Sequence, residues 1–261
     1  MSLSRYQSSL VRKFVDTTES DRDIALTFLQ ACNWDLNNAI SEYFSNPQYY
    51  NPRDHIQINS QFKVVKSIVE EIFKRFYDKT DDCGTNLGPK GVANLLNFLD
   101  IDFADRKVLI LAWLCEASIQ GEFSREELEN GVQKMELKSI NEIVSKLTNW
   151  DKNLDTPSYS YHFKSLYEYT YDFANDKPGR KWLPIPVAID YWRILFRVEP
   201  PLLPRWFIFL ENTDKGKITK DTWNLSLDFL LTMDERFKNY ASDDCWPVLI
   251  DEFVEFTKSN I

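Results

Sequence analysis

Three stretches of the chain have the spacing of an EF-hand, a loop of about twelve residues whose oxygen atoms bind Ca²⁺ between two helices. The stretches are 116–127, 80–91 and 211–222. In the first, Gly121 stands where the loop turns sharply and Glu127 stands at the position of the bidentate acid. The spacing therefore predicts helix-loop-helix packing around these stretches.

The ligand positions of these loops are poorly filled. Positions 1, 3 and 5 of the first loop hold Glu116, Ser118 and Gln120. Gly91 ends the second loop where the bidentate acid belongs, and Lys215 stands among the ligand positions of the third. Ca²⁺ requires about six to eight oxygen ligands, and a lysine repels it. We therefore expect EF-hand-like packing without a bound metal.

The residues required for covalent or acid–base catalysis are also missing. The chain has two histidines, His55 and His162, and no GxSxG motif, glycine-rich phosphate loop or HExxH motif. Four cysteines stand apart, without a CxxC pair: Cys32, Cys83, Cys115 and Cys245. This spacing indicates free thiols in a reducing compartment rather than disulfides or a zinc site. The sequence predicts a protein that is not an enzyme, with no catalytic residue and no cofactor.

The composition favours a folded acidic protein whose partners are proteins. Of the 261 residues, 43% are hydrophobic and 15% are aromatic, which is enough for packed cores. The net charge of −9 argues against nucleic acid as a ligand, because phosphate binding requires clustered Lys and Arg. The longest apolar run, Val108 to Cys115, is far shorter than the roughly 20 residues of a membrane span. We expect an intracellular protein with no nucleic acid or membrane partner.

The first segment has the pattern of three short amphipathic helices. Their apolar faces are Leu10, Val11, Phe14 and Val15; Ile24, Ala25, Phe28, Leu29 and Cys32; and Leu36, Ala39, Ile40, Tyr43 and Phe44. Ser20 and Asp23 have the spacing of a capping box, and Asn33 to Asp35 form a tight turn. Residues 6–48 resemble a ubiquitin-associated (UBA) domain, with an arbitrary three-helix bundle as the alternative. The loop Thr17–Ser20 lacks the Met-Gly-Phe/Tyr sequence usual in that family, which argues against ubiquitin binding through this loop.

Residues 49–61 have a linker composition, and a larger domain is expected over 62–258. Helical periodicity is seen at Val65, Ile68, Val69, Ile72, Phe73 and Phe76, then at Val92, Leu95, Leu96 and Leu99. Further helices are expected over 105–118, 125–133, 138–148, 159–174, 185–196, 201–210, 220–233 and 246–258. Leu87 and Phe123 are expected to pair as short strand pieces at the loop exits. The sequence predicts an all-α fold: a small three-helix UBA-like domain, then a larger helical domain built on degenerate EF-hand-like helix-loop-helix units.

Four segments of the larger domain resemble the defective-in-cullin-neddylation family, whose large domain is called the potentiating-neddylation (PONY) domain. They are VLILAWLCEASIQGEFSREE (108–127), AIDYWRILF (188–196), KDTWN (220–224) and WPVLIDEFVEF (246–256). The resemblance runs from about residue 60 to residue 257. Several members of the family also carry an N-terminal UBA-like unit.

The resemblance implies a non-catalytic scaffold for cullin neddylation, the transfer of a ubiquitin-like modifier onto a cullin. Such a scaffold holds the C-terminal winged-helix region of the cullin beside the charged conjugating enzyme, and so activates cullin-RING ubiquitin ligases; their RING-box subunit is a further expected partner. The family's cullin patch maps onto Asp221, Cys245 and Asp251, with Cys245 in place of an alanine. The alternative for Asp221 is an ordinary helix N-terminal acid stabilised by the helix dipole. The expected location is the cytoplasm and the nucleus.

The resemblance also implies an apolar pocket for the acetylated N-terminal Met of the conjugating enzyme, followed by a helix. The matching positions are Pro89, Val92, Val108, Leu111, Ala112, Gln120, Phe123, Phe173 and Leu195. Most of them would otherwise be read as ordinary core residues. A free amino group would bring a charge into such a pocket, so the acetyl group favours binding. A ubiquitin-binding shuttle and a degenerate EF-hand interaction protein are the alternative functions, and ubiquitin or a ubiquitin-like modifier is a further candidate partner of the UBA-like unit.

Overall fold

The computed structural model describes residues 5–45, 52–157, 160–175, 177, 179–241 and 245–259; at residues 5 and 52–62 the description is limited to the backbone. The chain divides into two compact units, Met1–Val64 and Val65–Ile261. Within the described residues, helices dominate and the only sheet has two short strands. The expectation of an all-α fold is confirmed.

Residues 5–45 of the first unit form three helices, as the apolar periodicity predicts. They are α1 (Arg5–Thr18), α2 (Arg22–Ala31) and α3 (Leu36–Ser45). Phe14, Phe28 and Tyr43 meet at the centre, with ring centroids 5.6–6.2 Å apart. Asn33 and Trp34 both have positive φ and form the expected tight turn before α3. Residues 46–48, at the end of the predicted UBA-like domain, lie outside the described residues.

The predicted capping box at Ser20 and Asp23 is wrong. Helix α2 begins at Arg22, and its N-cap residue is Asp21, whose side chain makes no capping hydrogen bond. The Thr18 hydroxyl donates its single hydrogen to the Phe14 carbonyl. In the 2.8 Å contact between the Thr18 and Ser20 hydroxyls, Ser20 is therefore the donor. The buried Ser20 side chain therefore closes the end of α1 instead of starting α2.

The second unit contains ten further helices among the described residues, the first of which begins before residue 65. They are α4 (Pro52–Phe76), α5 (Pro89–Phe98), α6 (Arg106–Cys115), α7 (Arg125–Lys134), α8 (Ile143–Leu154), α9 (Ser160–Ala174), α10 (Ile185–Leu195), α11 (Leu203–Asn212), α12 (Lys220–Thr232) and α13 (Val248–Ser259). A 3₁₀ turn, Ile140–Glu142, precedes α8. Strands β1 (Trp182–Pro184) and β2 (Lys217–Thr219) pair antiparallel.

Helices α4 and α8 differ most in extent from the sequence prediction. Helix α4 starts at Pro52, inside the predicted linker 49–61, because a proline fits the first turn and no helix breaker follows it; residues 49–51 lie outside the described part, and the domain boundaries remain predictions. Helix α8 runs to Leu154 instead of ending at 148. Its last turns contain Asp151, which is buried. In the sequence an acidic residue does not count towards an apolar helix face, so the predicted helix ends too early.

The helix-loop-helix units are joined in pairs through their loops. The predicted pairing of Leu87 and Phe123 is confirmed, since each backbone N–H donates to the other residue's carbonyl, at 2.8 and 2.9 Å. Leu183 and Ile218 pair in the same way within β1 and β2. This second pair was not predicted, because three-residue strands are too short to show alternation. All four side chains are buried. The relation of these pairs to EF-hands remains a prediction.

Three aromatic residues form the centre of the second unit. The indole rings of Trp192 and Trp223 stack with centroids 4.8 Å apart and planes 9° apart, and Tyr167 lies 4.8 Å from Trp223. Trp192 Nε1 donates to the Tyr167 hydroxyl at 2.7 Å, and that hydroxyl donates to the Trp223 carbonyl at 2.8 Å. These bonds satisfy the buried polar atoms of Tyr167 and Trp192 and fix α9, α10 and α12 together.

No helix in the described ranges combines the length and the apolar composition that a membrane span requires.

Candidate partner-binding sites

The second unit contains an apolar cavity of about 280 Å³, formed by α5, α6 and the 119–123 loop, with α9 and α10 closing one side. Its lining residues are Pro89, Val92, Leu96, Phe103, Asp105, Val108, Leu109, Leu111, Ala112, Ile119, Gln120, Gly121, Glu122, Phe123, Phe173, Tyr191 and Ile194. Phe103 and Ile119 are 60% and 53% exposed, so two large apolar side chains face solvent beside the cavity. A concave apolar site with a few polar groups is the usual form of a ligand pocket.

The structure brings eight of the nine predicted pocket residues to this cavity. The eight are Pro89, Val92, Val108, Leu111, Ala112, Gln120, Phe123 and Phe173. Leu195 does not line this cavity: its side chain is fully buried, and the preceding residue Ile194 lines the cavity with Tyr191. One residue along a helix turns the side chain by about 100°, so adjacent positions face different surroundings.

The start of α5, which carries Pro89, is held by contacts that the sequence did not reveal. Asp81 accepts hydrogen bonds from the backbone N–H groups of Lys90 and Gly91, at 3.0 and 3.2 Å, and so caps the helix from the preceding loop. A Cβ atom on Gly91 would lie 2.7 Å from the Phe76 carbonyl. Position 91 therefore requires glycine for close packing of α5 against the end of α4. This requirement explains why Gly91 stands where a calcium-binding loop would have its bidentate acid.

The loop on the other side of the cavity is also fixed. Gly121 has a φ of +75°, which fits the sharp turn expected there. The Gln120 side-chain amide donates to the Phe173 carbonyl at 2.7 Å and ties this loop to the end of α9. Both elements therefore keep their lining residues in place without a ligand.

Glu127 occupies the position of the bidentate acid, and its carboxylate is used within the loop itself. Oε1 accepts from the Ser118 backbone N–H and hydroxyl, both at 2.9 Å, and Oε2 accepts from the Ser124 N–H at 2.7 Å. Burial opposes the charge, but these hydrogen bonds outweigh it and lower the pKa of Glu127. The carboxylate thus organises the loop, as a cation does in an EF-hand. Within the described ranges, no three His, Cys, Asp or Glu side chains come together as a metal site.

The predicted cullin patch lies on two helices, α12 and α13, near their N-termini. Asp221 is exposed in the first turn of α12, after Thr219, whose hydroxyl accepts the Thr222 N–H. Cys245 is an exposed free thiol before α13, and Asp251 is half-buried in the first turn of that helix. Residues 242–244, directly before Cys245, lie outside the described part.

Buried aromatic rings hold these two helices together beneath the patch. Phe229 of α12 lies 6.0 Å from Phe253 of α13 between ring centroids, and the Trp246 ring contacts Phe229 nearly at right angles, at 5.4 Å. Trp223, two residues after Asp221, is fully buried in the aromatic centre of the unit. The tryptophans of the KDTWN and WPVLIDEFVEF segments therefore anchor the backbone that carries the acidic residues.

Two models of known protein families match the chain. The cullin-binding family model matches residues 142–256, which include the acidic patch, and a UBA-like domain model matches residues 8–48. The Defective in cullin neddylation protein 1 of Caenorhabditis elegans is 29% identical over 276 residues, covering 98% of this chain and 91% of that protein. The chain belongs to the defective-in-cullin-neddylation family.

Vertebrate relatives are similar over part of the chain. DCN1-like protein 3 of Rattus norvegicus and that of Homo sapiens are each 32% identical over 192 residues. These matches cover 72% of this chain and 61% of each relative.

Tyr240 contacts Asp251 of the predicted cullin patch, and nothing in the sequence indicated this contact. Its hydroxyl donates to Oδ1 of Asp251 at 2.7 Å, and its ring packs against the core while the Lys258 ammonium lies 5.1 Å from the ring centroid. The segment 233–241 has no apolar periodicity, so the sequence gives no reason to pair Tyr240 with a residue eleven positions later.

Arg106 is a second residue that sequence reasoning missed. Its side chain is almost fully buried and donates from all three nitrogens: to Asp151, to Asp155 and to the Leu195 carbonyl, at 2.7–2.9 Å. Burial opposes its charge, but the bonds to Asp155 and Asp151 outweigh burial and raise the pKa of Arg106. Arg106 thereby fixes the start of α6 to the end of α10, two helices that line the cavity.

Proposed function

We propose that this protein promotes cullin neddylation by binding a cullin and the conjugating enzyme at the same time. The observation that supports the proposal is that one folded unit contains an apolar cavity and, within the residues matched by the cullin-binding model, the acidic side chains of Asp221 and Asp251. Its role is that of a scaffold and not of a catalyst. Tethering both reactants raises their effective concentration and favours geometries in which the cullin lysine reaches the thioester.

The acidic patch is proposed to receive the winged-helix region of the cullin. Asp221 and Asp251 would pair with basic cullin side chains, with Cys245 as the small residue between them in the contact. Asp251 supports this role because Tyr240 fixes one carboxylate oxygen and leaves the other to bind a partner. The chain's net charge of −9 also favours association with a basic surface.

The cavity is proposed to receive the acetylated N-terminal Met of the conjugating enzyme. Its floor is apolar, and the hydrogen bonds of Gln120 and Asp81 hold its walls in place before binding. Preorganisation lowers the entropy cost of binding a flexible peptide end. The acetyl group removes a charge that would otherwise be desolvated.

The proposal also covers a further partner, the cellular location and the role of the UBA-like unit. The RING-box subunit joins the assembly through the cullin, and the protein acts in the cytoplasm and the nucleus. The UBA-like unit is proposed as an additional module for ubiquitin or the modifier.

A pulse-chase assay of modifier transfer from the charged conjugating enzyme to a cullin C-terminal fragment tests the proposal. We expect wild type to accelerate transfer and the variant Asp221→Asn/Asp251→Asn to lose roughly tenfold or more of that acceleration. The matched control is Asp214→Asn/Glu255→Gln, which removes two exposed acids nearby and should retain activity. If wild type does not change the rate with cognate partners, the proposed function is wrong.

The cavity is tested separately with peptides of the conjugating enzyme's N-terminus. The acetylated peptide should bind, and the peptide with a free amino group should bind much more weakly. Val108→Asp should abolish binding, whereas Val144→Asp, at another half-buried valine packed against the same core, should retain it. Equal loss in both variants would indicate general destabilisation instead of a local site.

A further inference from the structure

A second cavity in the larger unit is lined mainly by aromatic rings. It has a volume of about 470 Å³ and lies where α6, α8 and α9 meet. Its lining residues are Trp113, Leu114, Glu116, Lys134, Trp150, His162, Ser165 and Tyr169. None of them lines the apolar cavity or belongs to the acidic patch, so the cavity has no part in the proposed function.

The rings of this cavity form a corner. Trp113 and Trp150 lie 5.5 Å apart between centroids with planes at 87°, and His162 lies 5.4 Å from Trp150 with planes at 62°. Both tryptophans are half-buried, so part of each ring remains exposed to solvent. An aromatic ring attracts a cation that lies over its face, through the ring quadrupole, and tryptophan is the strongest such ring.

The rings are held in position without a ligand. Trp113 Nε1 donates to the Ser165 hydroxyl at 3.3 Å, and the Tyr169 hydroxyl donates to the Ala117 carbonyl at 2.7 Å. With their polar atoms engaged, these two side chains present ring surface and not hydrogen-bonding groups. These two walls of the cavity are therefore suited to the surface of a ligand that donates no hydrogen bonds to them.

A carboxylate lies at the rim. Glu116 ends α6 with a φ of +56°, a conformation that is uncommon outside glycine, and its carboxylate lies 2.6 Å from the Lys134 ammonium. Both side chains are well exposed, at 64% and 41%, so this ion pair is weak and open to competition. The rim thus already holds one ammonium group beside the aromatic corner.

We propose that this cavity binds a trimethylammonium group, with the rings of Trp113 and Trp150 around the methyl groups and Glu116 as counter-ion. A trimethylammonium group is large, apolar on its surface and unable to donate hydrogen bonds, so it loses less hydration than Lys134 on entering an aromatic site. Two common carriers of this group are trimethyl-lysine and choline. The experiment distinguishes them by testing both.

Calorimetric titration of the full chain tests the proposal with three probes: Nα-acetyl-trimethyl-lysine methylamide, choline chloride and the uncharged carbon isostere of the trimethyl-lysine probe. At least one cation should bind about tenfold or more tightly than the isostere. The cation that binds more tightly identifies the carrier. Equal affinity for cation and isostere, or no binding of either cation up to about 10 mM, overturns the proposal.

Variants locate the site. Trp150→Leu should weaken cation binding about tenfold, while the matched control Trp182→Leu, at a partly exposed tryptophan on β1, should leave it unchanged. Glu116→Gln should weaken binding of the cation, and Lys134→Met should tighten it because Glu116 loses its ion-pair partner. Binding of the uncharged isostere should not change in either variant. Equal effects of Trp150→Leu and Trp182→Leu, with both proteins folded by circular dichroism, would place the binding elsewhere.

Discussion

The hydroxyl of Tyr240 donates a hydrogen bond of 2.7 Å to Oδ1 of Asp251, and it does so from outside the helix that carries Asp251. A carboxylate on a first turn can adopt several rotamers, and each rotamer directs its charge differently. Tyr240 restricts Asp251 to one of them. It therefore determines which carboxylate oxygen is available to a partner.

Tyr240→Phe should weaken binding of a cullin C-terminal fragment about three- to tenfold, because one hydrogen bond to a charged group is lost while the ring and its contact with Lys258 remain. The variant should have no further effect in an Asp251→Asn background. Tyr77→Phe, which removes a hydroxyl bonded to the Gly84 carbonyl, is the matched control. Additive losses for Tyr240→Phe and Asp251→Asn would contradict a positioning role.

The buried guanidinium of Arg106 makes a strong prediction about stability. Arg106→Met should destabilise the second unit by roughly 3–5 kcal/mol, because it leaves the buried Asp151 without its main counter-charge. Arg106→Met/Asp151→Leu should recover more than half of this loss, because the buried carboxylate is removed and the charges left behind, Asp155 and Arg197, are partly exposed to water. Urea unfolding followed by circular dichroism gives both values. If the double variant is as unstable as the single one, the loss of stability comes from the lost packing and hydrogen bonds of this network and not from an unpaired charge.

Glu127 should contribute to the pH dependence of stability. Its pKa is lowered in the folded protein, so its stabilising effect is fully present above the ordinary glutamate pKa of 4.5 and is lost as the pH falls through the lower, folded value. The difference in urea midpoint between wild type and Glu127→Gln should therefore be largest at neutral pH and shrink below about pH 4.5. Glu129→Gln, on the same helix, serves as the control. A difference that stays constant with pH would exclude the charge as the cause.

The sequence predicted those parts of the fold that depend on local apolar periodicity. The faces of α2 and α3, and the pairing of Leu87 with Phe123, follow from spacings within a few residues. The errors concern polar groups whose hydrogen-bond partners the apolar pattern does not reveal. Asp151 extends α8 beyond its apolar stripe because Arg106, 45 residues away, bonds to it. Ser20 resembles a cap but bonds to Thr18.

The candidate sites were found through family resemblance rather than through physical patterns. Residues such as Val108 and Ala112 look like ordinary core residues in the sequence, because an apolar cavity and a filled core require the same residue types. Only the fold shows that their side chains face a space. Leu195 is an example, since a shift of one residue along α10, from Ile194 to Leu195, separates the cavity wall from the core.

Cys245 allows the cullin patch to be tested chemically. It is exposed, whereas Cys115 is fully buried and burial raises the pKa of its thiol; burial also raises the pKa of the Cys32 and Cys83 thiols. A bulky maleimide should therefore react first at Cys245.

Modification of Cys245 should block binding of the cullin fragment, because the added group is much larger than a side chain that fits between Asp221 and Asp251 in the proposed contact. Cys245→Ala should bind the fragment within about twofold of wild type, because cysteine is only slightly larger than alanine and similarly apolar. The Cys245→Ala protein should also keep its binding after maleimide treatment, with mass spectrometry confirming the labelled position. Full cullin binding by wild type labelled at Cys245 would place the contact surface away from this residue.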